Sequence, residues 1–269
     1  MWIDSNAYIG HWPFRKFEYN TLDALLGRMK EFGTDMSIVS SLHGIFYKNP
    51  QQANQELYEE LRSKSAYSSY FIPWAVINPA YGGWQQDFET CVTKMGMKGI
   101  RLYPKYHGYD IESSSCIQLV KMSRDKGLPV AFSLRMVDKR ATSWMDLDEE
   151  WTLQDVLPIV RAVPDGKFLI VNVANSTALD DQDLALLKRA HLLMDTSGRL
   201  PGGGTNVLLC KFDELLSTLG VDKFCFGTHS PIQDYFTGRL RIESIGAHQI
   251  DEAGRDRLRS GNIQQLLAS

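Results

Sequence analysis

The sequence predicts an α/β protein built as a single (β/α)8 barrel, a TIM barrel, over residues 1–269. Three observations carry this. Eight short β-rich runs alternate with helical patterns from one end of the chain to the other. Most of these runs are continuously apolar, as strands covered on both faces are. The length divides into eight units of about 34 residues, which fits one such barrel.

The eight runs are Trp2–Ile9, Met36–Leu42, Phe71–Ile77, Gly99–Tyr103, Pro129–Leu134, Phe168–Val173, Leu192–Asp195 and Phe224–Gly227. Between the first two, Leu22, Leu25, Leu26 and Met29 recur at helical spacing, with Thr21 placed to cap the start and Gly33 to stop the end. Gly127 stops the helix before the fifth run. Leu184, Leu187 and Lys188 repeat the pattern less cleanly after a cap expected at Asp181. An open, doubly wound sheet is the alternative. Such a sheet usually carries a glycine-rich first turn, and the turn Gly10-His11-Trp12-Pro13-Phe14-Arg15 has no GxGxxG. The longest connection, Val137–Trp151, is long enough for a lid over the mouth of the barrel.

Composition narrows the function classes. Hydrophobic residues make up 43% and charged residues 23%, the profile of a globular protein with a sizeable core. The formal net charge of -3 advertises no nucleic-acid face. No apolar run approaches the ~20 residues of a membrane span, so no membrane partner is expected. The first residues have neither the basic nor the apolar region of a secretory leader, which points to the cytoplasm. Cys91, Cys116, Cys210 and Cys225 form no CxxC pair and read as reduced, structural thiols. There is no GxSxG elbow and no Walker loop. A homo-oligomer stays open.

Barrel chemistry sits at the C-terminal ends of the strands. Three segments there, Ile3-Asp4-Ser5-Asn6-Ala7-Tyr8-Ile9-Gly10, Gly99-Ile100-Arg101-Leu102-Tyr103-Pro104 and Phe226-Gly227-Thr228-His229-Ser230-Pro231, form a pattern with the tail from Arg257 to Leu267. Together they resemble the amidohydrolase superfamily, in its amidohydrolase-related branch of 2-pyrone hydrolases and aminocarboxymuconate-semialdehyde decarboxylase. The resemblance implies a hydrolase with one divalent metal held by two histidines on the first strand, histidines on strands five and six, and an aspartate on strand eight. At those positions this chain has Asn6 and Tyr8, Ser133, Asn172 and His229. That set offers one imidazole and no carboxylate, a poor match to what zinc prefers. The expectation is therefore no cofactor, with zinc or manganese through unusual ligands such as His107, His229 and Asp4 kept open. Strand alternation would put Asp4 on the face shared by Asn6 and Tyr8, deeper in the barrel.

The expected mouth is polar and cationic. His229 is placed to transfer a proton, or else fills the cavity that the family's metal would occupy, bonded to Asn6 or Asn172. Asn6, Tyr8 and Asn172 are placed to orient a substrate. Arg101 and Arg135 are placed to clamp an anion, or else pair with Asp4, Asp138 or Asp195. Tyr103, His107, Ser133, Asp138 and Arg140 complete the expected substrate contacts. His43 is a weaker candidate. His11, His191 and His248 read as structural or surface residues, and Pro201-Gly202-Gly203-Gly204-Thr205 as a connector that could instead take an anion. The reading is a hydrolase acting, without the family's metal, on a small polar or carboxylated substrate. The alternatives are a decarboxylase and a non-catalytic small-molecule binder.

Overall fold

The structure is a computed structural model that describes residues 1–133, 136, 143–147, 152–172, 179–197, 215–246 and 249–268. Eight parallel strands form one closed barrel. They are β1 (Ile3–Ile9), β2 (Met36–Ser41), β3 (Phe71–Pro73, resumed as Ala75–Val76), β4 (Ile100–Leu102), β5 (Val130–Ser133), β6 (Lys167–Val171), β7 (His191–Asp195) and β8 (Phe224–Cys225). Each strand pairs with its sequence neighbours. The ring closes where Ser5 N donates to Phe226 O at 2.9 Å and Tyr8 N donates to Ser230 O at 2.8 Å. The third run is broken at Trp74, whose N–H still reaches Val39 O at 2.9 Å while its ring turns into the barrel. Gly99 makes room for that ring, since a β-carbon there would lie 2.4 Å from it.

The helices that position the site are α1 (Leu22–Glu31), α2 (His43–Phe46), α3 (Pro50–Arg62), α4 (Trp84–Glu89), α5 (Pro104–His107), α6 (Ser114–Asp125), α7 (Leu153–Ala162), α8 (Asp181–Arg189), α9 (Tyr235–Ser244), α10 (Glu252–Asp256) and α11 (Asn262–Leu267). Thr21 caps α1 by accepting from Ala24 N. Gly33 and Gly127 follow α1 and α6 with φ of 63° and 69°, the left-handed stop for which glycine has no β-carbon penalty. The cap of α8 is Asp180 rather than Asp181. Asp180 keeps an extended backbone and accepts from Asp183 N at 2.8 Å, while Asp181 is already helical.

Two apolar layers divide the interior. Leu22, Leu25, Val39, Ile100, Phe132 and Ile170 pack between sheet and helices, whereas Ile3, Ile38, Trp74, Ala131, Leu169 and Leu193 fill the barrel. The strand alternation expected for β1 fails at one point. Asp4 pairs with Ser37 but Ala7 with Val39, so a bulge inserts one residue between them. Ile3 therefore points inward and Asp4 outward, while Asn6 and Tyr8 beyond the bulge point inward again. Asp4 does not share their face. It lies fully buried against the helix layer, where it accepts from Thr228 Oγ1 at 2.6 Å, Thr228 N at 2.9 Å and Asn6 N at 3.0 Å. A metal set that includes both Asp4 and His229 is not formed.

The described cysteines, Cys91, Cys116 and Cys225, are buried and unpaired, and burial pushes the Cys91 and Cys116 thiols up to about 12. No helix is long and apolar enough to cross a membrane among the described residues.

Candidate active site

The C-terminal ends of the strands bring together Asn6, Tyr8, Arg101, Ser133, Asn172 and His229. Arg135, Asp138, Arg140, His248 and the 201–205 segment lie outside the described residues.

Arg101 organises the site. It sits at the centre of β4 and is completely buried. Its Nη1 donates to Asn6 Oδ1 at 2.8 Å and to Tyr8 Oη at 2.7 Å, and its Nε donates to Ser40 Oγ at 3.1 Å. The guanidinium carbon stands 4.7 Å from the Tyr8 ring centroid and 6.0 Å from that of Trp74, within cation–π range. All of its hydrogen bonds go to neutral oxygens. Its Nη2 has no partner among the described residues. Asn6 and Tyr8 thus converge on one nitrogen of a cation.

Asn6 is oriented unambiguously. A guanidinium can only donate, so the atom facing it is the amide oxygen. Nδ2 then faces Asp195 Oδ2 at 2.9 Å, Ser197 Oγ at 3.0 Å and His229 Nδ1 at 2.9 Å. This fixes the His229 tautomer in turn. Nδ1 accepts from Asn6, so the ring proton is on Nε2 and is donated to Met136 O at 2.8 Å. The ring is fully buried, edge-on to Tyr8 with centroids 5.4 Å apart. Both nitrogens are engaged, the arrangement of a histidine that fills a cavity and holds Asn6. His229 and Asn172 adopt φ of 60° and 62°. These left-handed conformations of non-glycine residues cluster at sites whose surroundings over-determine them.

Asp195, read from the sequence as a possible arginine partner and as part of the pocket-shaping segment at the end of the seventh run, is a buried carboxyl group of the site. It accepts from the Ser197 hydroxyl, from Asn6 Nδ2 and from Asn172 N at 2.7 Å. Burial raises its pKa, opposed by these bonds and by Arg101. Ser197 belongs to that same segment, whereas the role of Ser40 as a partner of Arg101 was missed. Their signal was polarity inside or directly after an apolar strand run.

Tyr8 Oη, the acceptor from Arg101, lies 3.5 Å from Ser133 Oγ. Burial keeps the phenol protonated despite the opposing Arg101 charge. Tyr103 is also fully buried and within electrostatic reach of Arg101 and Tyr8. Its hydroxyl has no partner among the described residues, and burial pushes it well above the usual range. His107 packs edge-on to Tyr103, 6.1 Å between centroids, and donates from Nε2 to Gly44 O at 3.0 Å. Its Nδ1 is buried without a partner among the described residues, and burial lowers its pKa. Trp12, Phe14, Phe46 and Tyr106 form an aromatic wall beside Tyr103. His43 is set apart from this group. Its Nδ1 faces Glu56 Oε2 at 2.7 Å and its Nε2 accepts from His11 N at 2.9 Å.

The donor set fits a divalent ion poorly. Asn6 and Tyr8 already bond a fixed cation, and a second cation beside it would be repelled. Among the described residues no three His, Cys, Asp or Glu side chains come together to hold one.

No family model matches the chain, and no curated protein matches it. Solved structures do match over nearly the full length. A dihydroxybenzoic acid decarboxylase from Polaromonas sp. JS666, with bound manganese and the inhibitor 2-nitroresorcinol, is 13% identical with a TM-score of 0.73, over 99% of this chain and 96% of that one. A 5-carboxyvanillate decarboxylase from Sphingomonas paucimobilis is 13% identical with a TM-score of 0.70, over 99% and 98%. Amidohydrolase 2 from Bifidobacterium longum subsp. infantis is 16% identical with a TM-score of 0.63, over 99% and 98%. At such identities the likeness is one of fold. Over nearly its full length the chain shares the (β/α)8-barrel fold of these decarboxylase and amidohydrolase structures.

Proposed function

We propose that this protein is an amidohydrolase-type barrel enzyme that acts on a small carboxylated substrate without a bound metal, Arg101 supplying the positive charge. The observation that carries the reading is the completely buried guanidinium whose Nη2 has no partner among the described residues and whose other bonds go to neutral oxygens. A buried charge that lacks a close counter-ion is costly, by several kcal/mol, and a ligand anion would offset that cost. Nη2 and the Tyr103 hydroxyl, which lies near Tyr8 and Ser133, are the donors for the substrate carboxylate or for an oxyanion that develops on it. Asn6 and Asn172 orient these groups through Asp195. Tyr8 retains a proton beside Arg101 and is the candidate acid. His229 is assigned a positioning role, because using its Nδ1 as a base would require Asn6 to release it. Ser133 and His107, with Arg135, Asp138 and Arg140, are proposed as further substrate contacts. Hydrolysis, including lactone opening, is the first reaction class and decarboxylation the second.

The test is a panel of lactones, amides and carboxylated pyrones, assayed with chelator and with added zinc or manganese. Turnover that persists in chelator and disappears in a folded Arg101→Met variant is the expected result. Turnover that requires the added metal, with about one metal per chain by elemental analysis, would overturn it. A second reading, a non-catalytic binder, draws on the two engaged nitrogens of His229. It predicts ligand-induced melting shifts with no turnover.

A further inference from the structure

At the end of the barrel opposite the mouth, a cavity of about 540 Å³ opens where β6, β7 and β8 begin, beside the helix α11. Lys167, Arg189, Lys223 and Arg257 line it, together with His191, and Asp222 is the carboxylate among its described lining residues. Four cations thus stand against one carboxylate in a chain whose formal net charge is -3. The donors are only partly used. Arg257 Nη1 bonds Asp222. Lys223 Nζ gives one proton to Ala190 O at 2.6 Å, and Lys167 Nζ reaches Gly127 O at 3.2 Å and Ala268 O at 3.0 Å. Arg189, the exposed last residue of α8, has no ion pair or hydrogen bond among the described residues. Burial lowers the pKa of both lysines, so each is partly withdrawn from water, and neither makes an ion pair among the described residues.

We propose that this cavity is a binding site for a small multivalent oxyanion of the diphosphate or tricarboxylate kind, with Arg189 and Lys223 as its anchors. The volume falls within the range of small-molecule sites, about 300–1,000 Å³. The surplus of three positive charges suits an anion of more than one charge. The planar fork of Arg189 matches the paired oxygens of phosphate or carboxylate. The residues come from the starts of β6, β7 and β8, from the end of α8 and from the C-terminal helical segment, so the site is separate from the Arg101 group and does not depend on the function assigned to it.

The experiment is calorimetric titration of the full chain with pyrophosphate and, separately, with citrate, with chloride holding the ionic strength constant. Saturable binding of one anion per chain is expected, about tenfold weaker in Arg189→Gln and unchanged in Arg101→Met. Pyrophosphate binding alone assigns a phosphate ligand, and citrate binding alone a polycarboxylate. Lys223→Gln should weaken binding further. If that variant fails to fold because Ala190 O loses its partner, Arg189→Gln carries the test by itself. No saturable heat with either anion, equal binding in Arg189→Gln, or loss of binding in Arg101→Met overturns the proposal.

Discussion

Asp4→Asn is expected to stabilise the protein at neutral pH. Asp4 is fully buried on the outward face of β1, and burial raises its pKa from 3.8 to about 6 despite hydrogen bonds from Thr228 and Asn6. The folded protein therefore binds this proton more tightly than the unfolded chain. The group costs nothing below its unfolded pKa, and stability is lost as pH rises through the window from 3.8 to about 6. A shift of roughly two units at 1.36 kcal/mol each amounts to about 3 kcal/mol at pH 7. Asparagine keeps the geometry. Its oxygen can accept from the two backbone N–H groups, and its amide can donate to Thr228 Oγ1 once that hydroxyl rotates. Urea unfolding of both proteins from about pH 4 to about pH 8 measures the difference, from which the other titrating groups cancel. The variant should match the wild type at the acid end and exceed it by up to about 3 kcal/mol at the alkaline end. A difference that is flat with pH, or a variant less stable at pH 7 than at pH 4 relative to wild type, would refute the assignment of a strained buried carboxylate.

Three further outcomes follow from packing and polar satisfaction. Gly99→Ala should cost about 1–3 kcal/mol by overpacking against Trp74, and Trp74→Leu in the same chain should recover part of the loss, read by thermal unfolding. Asn54 is buried and bonds both the N–H and the C=O of Val76 at 2.8 Å, so Asn54→Ala should cost about 2–4 kcal/mol by leaving two backbone groups unpaired, measured by chemical denaturation. His229→Asn should be more stable than His229→Ala by about 1 kcal/mol, because asparagine tolerates a φ of 60° better than alanine; equal Tm values for the two would count against strain there.

Much of the fold was legible because it rests on local pattern. Apolar runs of four to eight residues mark strands covered on both faces, and Thr21, Gly33 and Gly127 mark helix ends through backbone chemistry confined to a few residues. The errors were local as well. The cap of α8 fell one residue early, and the third run hid the break at Trp74. The site was legible as a set of residue types at strand ends, since Asn6, Tyr8, Arg101, Asn172 and His229 do meet. Their roles were not. Arg101 bonds Asn6 across 95 positions and His229 bonds Met136 across 93.

By itself the sequence determined the number of βα units and the polar residues at the ends of the strands, Asn6, Tyr8, Ser133, Asn172 and His229 among them, because these depend only on which side chains recur at which spacing. Tertiary structure decided the rest. One extra residue in β1 turned Asp4 away from Asn6, a change of face invisible to any alternation count. The donor-only guanidinium fixed the Asn6 amide, and the amide fixed the His229 tautomer, a chain of constraint that exists only when distant strands close into a barrel. Closure likewise gathered Lys167, Arg189, Lys223 and Arg257 around one cavity, although each is an ordinary surface cation along the chain.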